Sequence, residues 1–416
     1  MGASSLVLLL LLLVFLVLIS SSHSLVQLQN VFASPECITY DSRNNAIVIS
    51  CGNANLTDVY NALHSTKPGI ISKGPDPKEW FLNASIKVEN NTSFYINSTD
   101  TLWLKINSTF TGIVDKEPNN ILSRGNMIID SVKITSWDTN KNDYARANGT
   151  IPRSYILVNY GNGTTNITNS ELAYLGYNHP RSFGLTYYTG AGSIIKNNKI
   201  HDLWAGFYSD GFAHGAYNIT IEGNEFYNNT SQGVSPHSSS HQLTISNNTV
   251  YDNGREGIIC SIDCYNIIIE SNIVFNNTLH GIELPENTSD SIIRNNKVYD
   301  NRNDQIRLYK LANNNSVYNN NIRGGVTGVS IIDRSSNNTI NNNTISNSGL
   351  AGIFLLENAS QNTISSNTIN NSNIGVFNPD QNATNNIIKN NYLLNSKKEA
   401  IVLYDNNTNK VENNTS

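Results

Sequence analysis

From Asn197 onward, short runs of apolar, often β-branched residues alternate with polar pairs rich in asparagine, and the alternation returns at a fixed step. Asn197-Asn198-Lys199-Ile200 sets the pattern, and its apolar position recurs at Phe226, Val250, Val274, Val298, Ile322, Ile345, Ile369 and Leu393. The step is about 24 residues, which is a solenoid period. A second marker keeps the same phase: Gly206-Phe207, Gly233-Val234, Gly257-Ile258, Gly281-Ile282, Gln305-Ile306, Gly328-Val329, Gly352-Ile353 and Gly375-Val376. Each unit carries short runs such as Ile267-Ile268-Ile269 and Ser291-Ile292-Ile293 without helical periodicity. Units of this kind predict an all-β fold, a right-handed parallel β-helix; a leucine-rich horseshoe would need a Leu-rich consensus and another period. Stacked coils lie about 4.8 Å apart, so residues one step apart become lateral neighbours. The structure should therefore place Ile258, Ile282 and Ile306 in one inward ladder.

Upstream the pattern changes. Leu56, Val59, Tyr60 and Leu63 follow helical spacing behind Asn55, with Asp58 three residues on, which predicts a short capping helix over about 55–65. Such a cap covers strand edges that would otherwise recruit other chains. Residues 81–395 are read as the β-helix, its coils irregular up to about Ile134; residues 25–80 as the N-terminal cap region; and 396–416 as an Asn-rich tail. Leu6–Ile19 is an unbroken apolar run, short for a membrane span, so residues 1–24 are read as a signal peptide or an N-terminal membrane anchor through residues 6–19. Both readings put the body outside the cytoplasm, secreted or on the cell surface. Sequons at Asn55, Asn83, Asn148, Asn218 and Asn287 agree, although Asn-rich turns produce such triplets anyway. Cys37 and Cys51 flank Ile47-Val48-Ile49, and in an oxidising compartment they are expected to be joined; Cys260 and Cys264 are close enough to pair across a turn.

Composition narrows the partners. Only 14% of residues are charged and the net charge is -5, which argues against nucleic acid, since phosphate binding needs clustered Lys and Arg. The same balance means that a polyanionic ligand would need local cations. Asparagine carries the polar share, as suits turns whose side chains bond their own backbone and tolerate left-handed conformations. No cofactor is expected. His214 and His241 each fall eight residues after their coil's Gly, but no third ligand accompanies them, and no metal site is assigned.

The middle coils resemble the mannuronan C5-epimerases, alginate-modifying β-helix enzymes of bacteria. The resemblance is carried by Lys133-Ile134-Thr135-Ser136-Trp137-Asp138, Glu171-Leu172-Ala173-Tyr174-Leu175-Gly176-Tyr177, Ser182-Phe183-Gly184-Leu185-Thr186 and Gly206-Phe207-Tyr208. It is strongest at Gly233-Val234-Ser235-Pro236-His237-Ser238 and, one coil on, Gly257-Ile258-Ile259-Cys260-Ser261. In that family the first segment reads Tyr-Gly-x-Asp-Pro-His-Asp, and an Arg closely follows the second. Here Gln232 stands for the Tyr, Ser235 and Ser238 for the two Asp, and Ile262 for the Arg; Pro236 and His237 remain. The resemblance implies a uronic-acid polysaccharide as partner, with His237 as the catalytic base.

Counting four residues past each coil's Gly collects Tyr188, Asp210, His237 and Ser261, with Tyr309 at the Gln305 coil; counting two collects Tyr208, Ser235, Ile259, Glu283 and Arg307. His237 is therefore expected on the solvent face beside Asp210 and Ser261, in a groove long enough for several sugars. Arg181, Tyr188, Tyr208, Asp210, Ser235, Ser261 and Arg307 are the candidate substrate-binding residues, and Arg181, Arg255 or Arg307 could meet a sugar carboxylate. Three readings stay open: an epimerase or lyase with a rebuilt site, a catalytically silent glycan-binding relative, and a β-helix of the type serving periplasmic copper-enzyme maturation. A calcium-dependent pectate lyase fits poorly, because the face reads as poor in Asp and Glu. A hydrolase would need a carboxylate pair that the register does not assemble.

Overall fold

The computed structural model describes residues 35–110, 117–146, 151–211, 216–404 and 408–416. The apolar run 6–19, Asn148 and His214 lie outside these residues. The described chain winds into a right-handed β-solenoid of three sheets with 15, 14 and 15 strands, in which successive strands of a sheet come from successive coils. Pairing is parallel apart from two N-terminal hairpins, Ile38–Asp41 with Ala46–Ile49 and Ile71–Lys73 with Glu79–Leu82, and the short strand Asp143–Tyr144.

Each strand is short because only one or two residues per sheet point inward. Ile258 pairs with Ile282 and Ile282 with Ile306, all three fully buried, so the inward ladder forms as predicted. The second sheet stacks Ile245, Ile269, Ile293, Val317 and Ile340 in the same way, and the third stacks Val250, Val274, Val298 and Ile322. The early coils are longer: Ile86, Ile121 and Ile156 are partners one coil apart, 35 residues each. From Val234 the step settles at 24, with single-residue shortening from Ile306 to Val329 and from Ile353 to Val376 and one extra residue from Val376 to Ile401.

The Asn-Asn pairs divide two tasks. The first residue sits at positive φ, as at Asn197, Asn247, Asn295 and Asn319, where the chain turns a corner. The second is buried and stacks on its counterpart one coil on. Asn248 Nδ2 donates to Ile221 O (2.9 Å) and to Asn272 Oδ1 (3.0 Å), and the Asn248 backbone N–H donates to the same Asn272 Oδ1 (2.9 Å). Burying the turn's peptide groups is possible only because this ladder satisfies them.

The Gly marker has a different cause. A Cβ on Gly257 would meet Val274 Cγ1 at 2.6 Å and Gly281 O at 2.8 Å, so the chain packs against itself too closely for a side chain. Gln305 breaks the marker, and its Oε1 accepts from Asn301 N (3.2 Å) and Asn301 Nδ2 (2.8 Å), taking the place of the next ladder Asn. Gly325 lies where that Asn would be, and a Cβ there would fall 2.0 Å from Gln305 Nε2.

Helix α1, Leu56–Leu63, closes the N-terminal end. Asn55 accepts from Asp58 N and Asp58 accepts from Asn55 N, a reciprocal capping box, and Leu56, Val59 and Leu63 face the core. Cys37 and Cys51 are disulfide-bonded with Cα atoms 5.4 Å apart, tying Pro35–Cys37 to the first hairpin; Cys260 and Cys264 are bonded too. At the other end the expected tail is corrected. Glu399–Leu403 and Lys410–Glu412 pair in parallel with the preceding coil, and Asn409 and Asn414 extend the Asn ladders, so residues 396–404 and 408–416 continue the solenoid. Among the described residues no helix is long and apolar enough to cross a membrane.

Candidate active site

The outward positions of the first sheet build a groove of about 700 Å³ across the strands Ala205–Asp210, Val234–His237, Ile258–Ile259, Ile282–Pro285 and Ile306–Tyr309. Parallel register fixes its columns. Asp210 pairs with His237 and His237 with Ser261; Pro285 and Tyr309 continue the column. Tyr187 pairs with Ser209, which sets the adjacent Tyr188 beside Asp210. The second column runs Tyr208, Ser235, Ile259, Glu283, Arg307.

His237 is half-buried at the groove wall. Its Nδ1 lies 2.6 Å from Ser238 Oγ, and its ring centroid is 5.7 Å from that of Tyr208. Burial holds its pKa below the ordinary 6.5, although Asp210 and Glu286 pull the other way, so the imidazole is neutral at neutral pH. Tyr208 is driven the opposite way: burial, with the Asp210 charge beside it, pushes its hydroxyl far above the usual range. That hydroxyl lies 3.5 Å from Asp210 Oδ2. A neutral base and a firmly protonated phenol thus face one another across one coil step. Ser235 and Ser261 are buried in the groove floor.

Of the sequence-derived candidates, His237, Tyr208, Ser235, Ser261 and Arg307 line this groove, with Asp210 and Tyr188 at its edge. Arg181 does not join them. It sits in an adjoining cavity with Lys87, Tyr160 and Tyr177, its guanidinium 5.4 Å from the Tyr160 ring centroid and 5.7 Å from that of Tyr188. The left-handed backbone at Arg181 (φ 71°) aims it there.

The groove is richer in carboxylates than the sequence reading held, and that expectation is corrected: Glu256, Glu283 and Glu286 all line it. A third column had gone unassigned, the position just before each marker, where Gln232, Glu256, His280 and Asp304 succeed one another through Gly N to carbonyl bonds. Gln232 Nε2 donates to Glu256 Oε2 (3.1 Å), and Asp304 accepts from Thr327 Oγ1 (2.7 Å) and Ser330 Oγ (2.9 Å). His280 stands between Asp304 and Arg307, with Nδ1 3.5 Å from Asp304 Oδ2 and Nε2 2.8 Å from Arg307 Nη1. Burial pushes the Glu283 carboxyl up to about 7, against the pull of Arg307 and with the push of Glu256 and Asp304. The regular step of this third column was the available signal. The burial of Glu283 in the second column, which shifts its carboxyl, was not in the sequence.

Among the described residues no three His, Cys, Asp or Glu side chains converge as metal ligands. His241 is stacked between Tyr217 and Tyr265 at 5.1 and 4.6 Å.

The winding, the columns and the groove define a class before any relative is considered, a β-helix with a lateral site. The model of the right-handed β-helix region matches residues 94–287, 154–322 and 286–416, and the chain belongs to that family. Within it the chain is similar to mannuronan C5-epimerases. It is 27% identical over 208 residues to the mannuronan C5-epimerase of Pseudomonas syringae pv. tomato, covering 47% of this chain and 36% of that one. It is 29% identical over 135 residues to mannuronan C5-epimerase AlgG of Azotobacter vinelandii, covering 29% of this chain and 24% of that one. The match thus spans about a third of the first relative's length and about a quarter of the second's. In fold the chain is similar to the periplasmic alginate epimerase AlgG, with a TM-score of 0.71 at 24% identity, covering 89% of this chain and 84% of that one.

Proposed function

We propose that this protein is an exported enzyme that modifies a uronic-acid polysaccharide by removing the proton at C5, with His237 as the base. The observation that carries the reading is the state of His237: neutral, anchored through Nδ1 by Ser238, and exposed to the groove. The C5 proton passes to Nε2, and the electron pair delocalises into the C6 carboxyl group as an enolate. Return of a proton to the other face of C5 gives the epimer. Departure of the O4-linked sugar instead breaks the C4–O4 bond and leaves an unsaturated end. Tyr208, which faces His237 across one coil step and is kept protonated by burial and Asp210, is the candidate proton donor. Export is supported by the apolar run 6–19 and by the periplasmic relative.

A second reading is favoured by one specific observation. Ser235, Ser238 and Ile262 occupy the positions at which the resembling enzymes carry two Asp and an Arg, which fits a glycan binder that no longer turns over. The test is NMR of C5 configuration and of unsaturated ends after incubation with polyuronates in free-acid and esterified form. Product that disappears in His237→Gln supports the enzyme. Binding without product from any polymer would replace it by the glycan binder.

A further inference from the structure

Taking the C5 proton from a free uronate creates a second negative charge on oxygens that already share one, so the site must set cations against the carboxyl group. The groove at His237 is built differently. Where the resembling enzymes place an Arg, Ile262 projects, 37% exposed and with a left-handed backbone (φ 61°) unusual for a β-branched residue. The same groove holds three carboxyl side chains, Glu256, Glu283 and Glu286. Its cations are each held by one of them: Arg255 Nε is 3.6 Å from Glu256 Oε2, Arg307 Nε is 3.5 Å from Glu283 Oε1, and Lys310 Nζ at the rim is 2.9 Å from Glu286 Oε1. Arg307 is further fixed by His280 Nε2 and lies 4.3 Å from the Tyr309 ring centroid. By register it stands three coils from Ser235, about 14 Å along the axis, too far to serve the sugar at His237. Arg181 sits on the other side, beyond Tyr188, in the adjoining cavity.

We infer that the sugar reacting at His237 carries an uncharged carboxyl group, a uronic acid methyl ester or amide, and not a free carboxylate. This rests on the proton-abstraction reading given above. With an ester, the C5 proton still passes to His237 Nε2, but the electron pair forms a singly charged enolate on the former carbonyl oxygen. Such an oxygen needs hydrogen-bond donors more than counter-ions. The groove offers the Tyr208 hydroxyl, whose ring lies one coil from His237. The enolate then collapses by taking a proton at C5 or by expelling the O4-linked sugar, and the ester is unchanged in the first case and conjugated with the new double bond in the second. A free carboxylate in the same place would meet Glu256, Glu283 and Glu286, with each described cation of the groove already beside one of them.

The experiment compares one polymannuronate preparation, methyl-esterified, with the same preparation after saponification, reading C5 configuration and unsaturated ends by NMR. Turnover at least about tenfold faster on the ester is expected. Equal or faster turnover of the saponified polymer would overturn the inference and leave proton abstraction by His237 standing. No product from either polymer would overturn both. Ile262→Arg supplies the independent check, because it adds a cation beside the reacting sugar without touching His237 or Tyr208. It should move the preference toward the free acid several-fold, and an unchanged preference would overturn the charge argument.

Discussion

His237 matters through its ionisation state as much as its position. Its pKa lies below 6.5, so the base form persists into mildly acidic solution, and turnover should fall only as pH drops through that depressed value. A pH profile of kcat/KM whose acidic limb lay above 6.5 would contradict this. His237→Gln should lower kcat by at least about 100-fold while glycan affinity stays within a few-fold, as equilibrium binding would report. Glu283 titrates in the opposite sense. Its folded carboxyl is raised from the ordinary 4.5 to about 7, so the fold holds that proton more firmly than the unfolded chain does. The sign follows: the contribution of Glu283 to stability is fully present below about 4.5 and is lost as pH rises through 7. Glu283→Gln should therefore raise stability at pH 8, by on the order of 2 kcal/mol, and much less at pH 5, as urea denaturation at the two values would show. Counting from the Gly marker was enough to place His237 beside Asp210 and Ser261, because a parallel register converts sequence offset into adjacency. The departure of Arg181 from that group was hidden, since a single left-handed residue turns it toward Tyr160.

At the scale of the coil, asparagine is the element that makes one turn fit the next. The sequence showed its role at the corners but not the buried ladder, because Asn-Asn looks the same whether one or both residues face solvent. The two positions should respond differently to change. Asn272→Ala removes the bonds from its amide to Ile245 O and Asn296 Oδ1 and leaves Asn248 without its acceptor, so a loss of about 2–4 kcal/mol is expected. Asn295→Gly, at φ 56°, keeps the corner and should change stability by less than about 1 kcal/mol. Equal losses in thermal unfolding would show that the ladder has no special weight. The interrupted marker at Gln305 was visible in the sequence as an exception. Its explanation required Gly325, a coil away, whose bare backbone leaves room for the Gln305 amide.

For the molecule as a whole, the fold was written plainly from Asn197 to Leu393 because the two markers never lose phase over that span. The early coils were harder to read, since Ile86, Ile121 and Ile156 stand 35 residues apart and their extra residues fall in turns of no fixed composition. The last coil was mistaken for a tail because its strands expose most of their surface, and exposure weakens the apolar pattern by which a coil is recognised. Regular stacking gives the protein something like a reading frame. Deleting residues 340–363 joins Thr339 to Ile364, its partner's successor, and removes one whole coil of 24 residues beyond the groove. That variant should fold and keep the His237 groove, as circular dichroism and turnover would show. Removing Ile340 alone is the smaller cut and the greater injury, because a polar neighbour must then enter the core ladder between Val317 and Ile364. Within its strands, length in this protein is therefore free to change only in whole coils, turns alone absorbing smaller differences, and the groove lying along the axis can be lengthened or shortened by the same unit.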